Sequence, residues 1–410
     1  MSDPSSRPLP SSVRTLGWVS FFVDLSSELL YPILPLFLVT LGTPLAVVGL
    51  IEGLAEVTAG VAKGYFGALS DRLRKRRAFV TAGYALSALS KPLPGLVPAW
   101  STVLAARVLD RVGKGLRTAP RDALLAAYTP PEQRGRAFGL HRAMDTAGAA
   151  LGPLAALAWL AMRPGDYRPL FFAAFVPALV GVALTRRIPE VTPPPPPDAA
   201  APARLFDVWK EGGAAFRARI VWLALFALGN ASDVFLLLRI REGVGPDGAT
   251  VGPWHLSGDV AALAAYVLYN AVFAAAAYPA GVLADRWGRR GTLAVGFGLF
   301  AVVYAGMAAS SSLAAFAGWM ALYGVYAALT EGVAKAWVAD VLPDTLRGRG
   351  LGLVASATSL AALLASTVTG VLWTARGATL PFVLSAAVAL VVAVGVAVTP
   401  SVSSFSRRAR

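Results

Sequence analysis

The 410-residue chain is 56% hydrophobic and 15% charged, with a mean hydropathy of +0.61, which excludes an ordinary soluble domain and points to lipid as its solvent. Its formal charge of +14 raises nucleic acid as a partner, a reading that the placement of the cations removes below. The absence of cysteine excludes a disulfide framework and thiol chemistry and is compatible with any compartment.

Twelve apolar runs follow one another, at 17–39, 45–69, 78–97, 100–120, 136–162, 170–185, 217–240, 257–284, 291–309, 313–341, 350–374 and 379–399. Runs of about 20 residues cross a hydrocarbon core roughly 30 Å thick. They are predicted to be helices, because lipid leaves backbone polar groups only internal partners. The first run carries Asp24 and Glu28, exceeds a signal-peptide core in length and lacks a small-x-small cleavage site, so it is expected to remain in the mature chain.

The cations sort by side. Roughly 23 Lys/Arg fall in the N-terminus, the even-to-odd loops, the middle linker and the tail, and about five (Arg163, Arg168, Arg239, Arg241, Arg376) fall opposite. This pattern predicts a multi-pass protein of the cell's inner (plasma) membrane with both termini cytoplasmic, its partners lipid and a small molecule rather than nucleic acid. The remaining cations lie inside spans: Lys63, Lys91, Arg107, Arg111, Lys114, Arg117, Arg121, Arg142 and Lys335.

Between Arg186 and Arg219 five consecutive prolines mark a linker. Its "LFDVWK" stretch reads equally as a short amphipathic surface helix or a solvated connector. The expected organisation is an N-terminal six-helix bundle at 1–187, a cytoplasmic Pro-rich linker at 188–216 and a C-terminal six-helix bundle at 217–410. The halves echo one another: "GALSDRLRKRR" (67–77) matches "GVLADRWGRRG" (281–291) at an offset of 214, and "PPEQRGRAFG" (130–139) matches "LPDTLRGRGLG" (342–352) at nearly the same offset. Two pseudo-symmetric units place a site between them.

On these repeats the chain resembles the major facilitator superfamily over essentially its whole length. The family's loop signature, G-x-x-x-D-R-x-G-R-R, is complete at Gly281, Asp285, Arg286, Gly288, Arg289 and Arg290; the first copy keeps Gly67, Asp71, Arg72 and Arg76, with Arg74 in place of the glycine. The resemblance implies an all-α membrane protein of twelve transmembrane helices in two six-helix bundles, a gating role for the signature, and a secondary transporter that commonly works as a monomer. "GAALGPLAA" (148–156) is similar to the fifth-helix pattern of drug/proton antiporters through Gly148, Gly152 and Pro153, although the terminal glycines are absent. Arg107 fits the fourth-helix arginine of those antiporters, but Asp110 and Arg111 replace the following Gln and Gly. The resemblance thus implies proton-coupled export of a small solute by alternating access.

The fourth run is the most charged. Arg107, Arg111, Lys114, Arg117 and Arg121 step by four, three, three and four and fall on one helical face. Acids complement them: Asp24 and Glu28, Glu52 and Glu56, and His141 with Asp145 all stand four apart, and Asp110 and Asp122 share the charged helix. A charge at the bilayer centre costs roughly 3 kcal/mol, and whole folds are stable by about 5–15 kcal/mol, so this set must pair or be wetted. Helices 1, 2, 4 and 5 are therefore predicted to turn these faces inward. Arg117, Arg121 and Asp122 stay open between the cavity mouth and the interface, since Pro120 can end the membrane part.

The second half offers fewer inward candidates: Asn230, Asp233, Tyr266, Tyr269, Asn270, Glu331 and Lys335. Asp24, Glu28, Glu52, Glu56, Arg107, Asp110, His141 and Asp145 are the proton-coupling candidates; Arg111, Lys114, Asn230, Asp233, Tyr266, Asn270, Glu331 and Lys335 are the substrate-cavity candidates. The cationic stripe also supports an organic anion as substrate. No H-E-x-x-H, phosphate-binding loop or G-x-S-x-G is present and the two histidines lie far apart, so an enzyme, a bound metal and a cofactor are not expected, the proton gradient being the energy source.

Overall fold

A computed structural model describes residues 8–73, 75–130, 133–191, 207–245, 248–251 and 253–399. The side chains of Gly67, Asp71 and Arg72, in the first signature copy, lie outside the described residues, as does Arg74. The described chain groups into two compact units, residues 1–43 with 54–199 and residues 44–53 with 200–410.

The first unit contains α1 (Ser11–Leu30), α2 (Ile33–Thr40), most of α3 (Leu45–Leu73), α4 (Arg76–Ser90), α5 (Leu93–Leu96), α6 (Trp100–Tyr128), α7 (Arg134–Met162) and α8 (Arg168–Thr185). The first run is broken at Tyr31–Pro32 and the third at Lys91–Pro92, where proline withdraws a backbone donor. Val13, Leu16, Val19 and Val23 of α1 form an apolar core with Val80 and Tyr84 of α4 and with Leu124 and Leu125 of α6.

The helices approach closely where glycine removes the side chain. A Cβ on Gly83 of α4 would stand 2.6 Å from the Gly113 carbonyl of α6, and one on Gly113 would stand 2.6 Å from Ser87 Oγ. The predicted α7 element does the same against α1: a Cβ on Gly148 would collide with the Phe21 carbonyl, and one on Gly152 would stand 2.7 Å from the Leu25 carbonyl. Lipid supplies no hydrophobic drive between helices, so such small-residue contacts hold the unit together.

The second unit contains α9 (Asp207–Glu211), α10 (Gly213–Gly229), α11 (Val234–Val244), α12 (Gly258–Trp287), α13 (Arg289–Ala309), α14 (Leu313–Ala339), α15 (Asp344–Arg376) and α16 (Thr379–Val398). Of the "LFDVWK" stretch, 207–210 lie in the short α9, with Val208 buried. One departure from the all-helical expectation is a small antiparallel hairpin, β1 (Ala249–Val251) with β2 (Trp254–Leu256), in the connection from α11 to α12. Ten helical segments among the described residues are long and apolar enough to cross a membrane. The broken α4–α5 pair and the charged α6 are not among them, although α6 extends over 29 residues.

The second signature copy has a local structural reason. Gly288 joins α12 to α13 at φ +86°, a left-handed conformation that side chains resist. Next to it, Arg289 donates to the Ala336 carbonyl at 3.1 Å and to the Asp340 carboxylate, fastening the start of α13 to the end of α14. Asp285 and Arg286 are exposed. Gly288→Ala is expected to destabilise the protein by about 1–2 kcal/mol, read as a lower unfolding temperature in detergent. Gly281→Ala, at a helical position with open space around it, should leave that temperature unchanged.

Candidate functional site

The first unit encloses a polar cleft between α1, α4 and α6. Asp24, Ser27, Glu28 and Tyr31 line it from the first run, Lys91 from the α4–α5 break, and Arg107, Asp110, Arg111, Lys114 and Arg117 from α6. Its room for water amounts to about 50 Å³, space for about three to five molecules.

The charges in it are organised. Lys91 Nζ donates to Asp110 Oδ1 and to Ser27 Oγ, both at 3.0 Å, so one ammonium ties α6 to α1. The Lys91 and Asp110 side chains are only 6% and 11% exposed. Ser87 Oγ donates to the Asp110 carbonyl at 3.2 Å and receives a bond from Arg117 Nη1 at 2.6 Å. Arg117 also lies 4.6 Å from the ring centre of Tyr84, a cation–π contact. At 4% exposure Arg117 is a core residue, and α6 continues through Pro120 to Tyr128, so snorkelling to an interface is not its role. Asp122 takes Arg121 as its partner at 3.0 Å.

Arg107 lies 5.6 Å from the Tyr31 ring centre. Arg111 reaches Glu56 of α3 at 3.9 Å, and that carboxylate is 51% exposed. The Nε of Arg111 is buried with no hydrogen-bond partner among the described residues. Glu52 is buried and falls in the stretch of α3 that groups with the second unit.

Beside the cleft, α7 brings Asp145 toward α1. Asp24 lines the cleft together with Lys114 and Arg117, and Asp145 stands against the preceding turn of α1. Ser20 Oγ donates to Asp145 Oδ1 at 2.5 Å and Arg142 Nη1 to its Oδ2 at 3.0 Å. His141, one turn earlier, is buried, and its Nε2 has no hydrogen-bond partner among the described residues.

One expectation needs correction. The inward set of helices 1, 2, 4 and 5 omitted the third run, yet it supplies Lys91, the closest partner of Asp110; the break at Pro92 lets this lysine turn into the cleft. The alternative left open at Pro120 is decided for Arg117 by its burial: α6 runs on through the proline, and the turn before it is held by Arg117, Ser87 and Tyr84.

The second-unit candidates are placed differently. Tyr323 donates to Asp233 Oδ1 at 2.6 Å, and Asn270 donates to the Tyr266 carbonyl of its own helix at 3.0 Å. Around Tyr323 the rings of Tyr269, Tyr304 and Tyr326 stand with centroids 5.2, 6.3 and 5.0 Å away. Glu331 and Lys335 are exposed. This tyrosine cluster was missed in the sequence because Tyr304, Tyr323 and Tyr326 sit inside apolar runs that read as plain lipid-facing helix.

The Major Facilitator Superfamily profile matches residues 16–245 and 249–408. The chain is 32% identical over 375 residues to an uncharacterised MFS-type transporter of Methanocaldococcus jannaschii, covering 91% of each chain. It is 31% identical to the multidrug resistance protein MdtH of Yersinia enterocolitica over 158 residues, 36% of this chain and 38% of the relative. The solved structure of the nucleoside transporter NupG superposes with a TM-score of 0.79 over 94% of this chain and 99% of the other, at 12% identity, a likeness of fold. The protein belongs to the Major Facilitator Superfamily. It is a multi-pass membrane transporter and not an enzyme.

Proposed function

We propose that this transporter moves its small solute by alternating access coupled to protons, with the first unit carrying the coupling. What supports the reading is the placement of the neighbouring carboxyls Asp24 and Asp145: Asp24 lines the cleft, and Asp145 of α7 is held by Ser20, one turn earlier on α1. Ser20 and Arg142 hold one end of the pair and the Lys114–Arg117 side of the cleft acts on the other. A proton that enters or leaves there changes the charge beside the solute's cleft. Export in exchange for protons, supported by the likeness of Gly148, Gly152 and Pro153 to the antiporter element, applies to a solute that competes with the proton. No bound cofactor enters the cycle. The protein acts as a monomer in the plasma membrane with both termini cytoplasmic, and the signature loops gate transport.

Reconstituted vesicles with an imposed pH gradient test this against a solute library. A transported solute is expected to accumulate or be expelled in proportion to the gradient. Asp24→Asn and Asp145→Asn are each expected to abolish that dependence while downhill exchange of the solute persists. Flux indifferent to the gradient, or unchanged coupling in both variants, overturns the reading.

A further inference from the structure

We infer that the first-unit cleft binds an oxyanion, the carboxylate or phosphate group of the solute, through Arg111 and Lys114, and that it does so more tightly when Asp24 carries a proton. The inference rests on the proton-coupling reading only for its second half.

The cleft is lined by five cations, Lys91, Arg107, Arg111, Lys114 and Arg117, against three acids, Asp24, Glu28 and Asp110. Lys91 and Asp110 satisfy each other, and Arg117 is engaged by Ser87 and Tyr84, so neither arm of that network is on offer. Arg111 is different. Its guanidinium is 11% exposed, its Nε is buried with no partner among the described residues, and its contact with Glu56 is long, at 3.9 Å, to a half-exposed carboxylate. Lys114, one turn further along the same face, is exposed and makes no hydrogen bond or ion pair among the described residues. The Arg111 side chain lines the cleft, and a guanidinium receives a carboxylate or phosphate through parallel N–H bonds. Lys114 adds a point charge beside it.

The sign of coupling follows from position. Asp24 faces Lys114 and Arg117 across the cleft. With Asp24 ionised, Lys114 is partly neutralised and an incoming anion meets a negative neighbour. With the proton on Asp24, the cleft gains one positive charge and the anion binds better. Proton and anion therefore favour each other's binding, and by reciprocity each loads the carrier for the other.

Purified protein in detergent, at fixed ionic strength, tests both halves with benzoate and inorganic phosphate as probes and benzylamine as the cationic control. Benzoate or phosphate should raise the unfolding temperature where benzylamine does not, and the apparent dissociation constant should weaken about tenfold in Lys114→Gln and Arg111→Gln. Lys114→Arg, which keeps the charge, should retain binding and so separates charge loss from misfolding. Benzoate should also bind more tightly at mildly acidic than at mildly alkaline pH, and that difference should vanish in Asp24→Asn. Absence of stabilisation by either anion, equal affinity in the Gln variants, or preference for benzylamine overturns the oxyanion site. Anion binding that depends on Lys114 but is flat with pH leaves the site standing and overturns the linkage to protons.

Discussion

Replacing Lys91 by alanine is expected to cost about 3–5 kcal/mol of stability, because it leaves the Asp110 carboxylate buried without its counter-ion. The loss is larger than that of any surface ion pair here, since exposed pairs contribute about 0–1 kcal/mol. Asp110→Ala should cost a similar amount by stranding the ammonium, which would keep only Ser27 as an acceptor. The double change, Lys91→Met with Asp110→Leu, should recover most of the loss, because two apolar groups of similar volume need no partners. Thermal unfolding of the unaltered protein, Lys91→Met, Asp110→Leu and the double change in the same detergent gives the coupling. Additive losses in the double variant would show that the pair does not act as a unit.

Gly152→Val is the second large effect. A side chain there meets backbone rather than a yielding side chain: the Leu29 amide nitrogen at 2.5 Å, the Leu25 carbonyl at 2.7 Å and the Glu28 carbonyl carbon at 2.8 Å. Overpacking of this kind costs about 1–3 kcal/mol, and α7 can relieve it only by moving away from α1. Such movement also withdraws Asp145 from α1, where Ser20 holds it. The expected result is a lower unfolding temperature together with loss of gradient-driven flux, measured in the same preparation. Gly139→Val, on the same helix with nothing within 4 Å of the added carbon, should change neither.

Much of this arrangement is legible in the sequence because lipid makes charge expensive. Asp24, Arg107, Asp110, Arg111 and Lys114 stand out against apolar neighbours, and the cost of leaving them unpaired predicts that they converge, as they do. The loop signature is legible because Gly288 answers a backbone requirement. Partner choice is harder to read. Asp110 pairs with Lys91 through a helix break whose direction depends on how α4 packs on α6, and that packing turns on Gly83 and Gly113, residues with no charge or periodicity to announce them. The second unit hides its polar centre differently: Asp233 is held by Tyr323, a residue that sits inside a long apolar run and does not stand out as a charge does.

The glycine contacts have an electrostatic consequence as well. Where Gly83 meets Gly113, and Gly148 and Gly152 meet α1, the backbones touch and leave no channel for mobile ions between them. Dissolved salt shields charges across a Debye length of about 8 Å at physiological ionic strength, but only where its ions can enter. The Lys91–Asp110 pair, with side chains 6% and 11% exposed, is therefore screened far less by dissolved salt than an ion pair on the surface, and its strength varies little with the salt content of the cell.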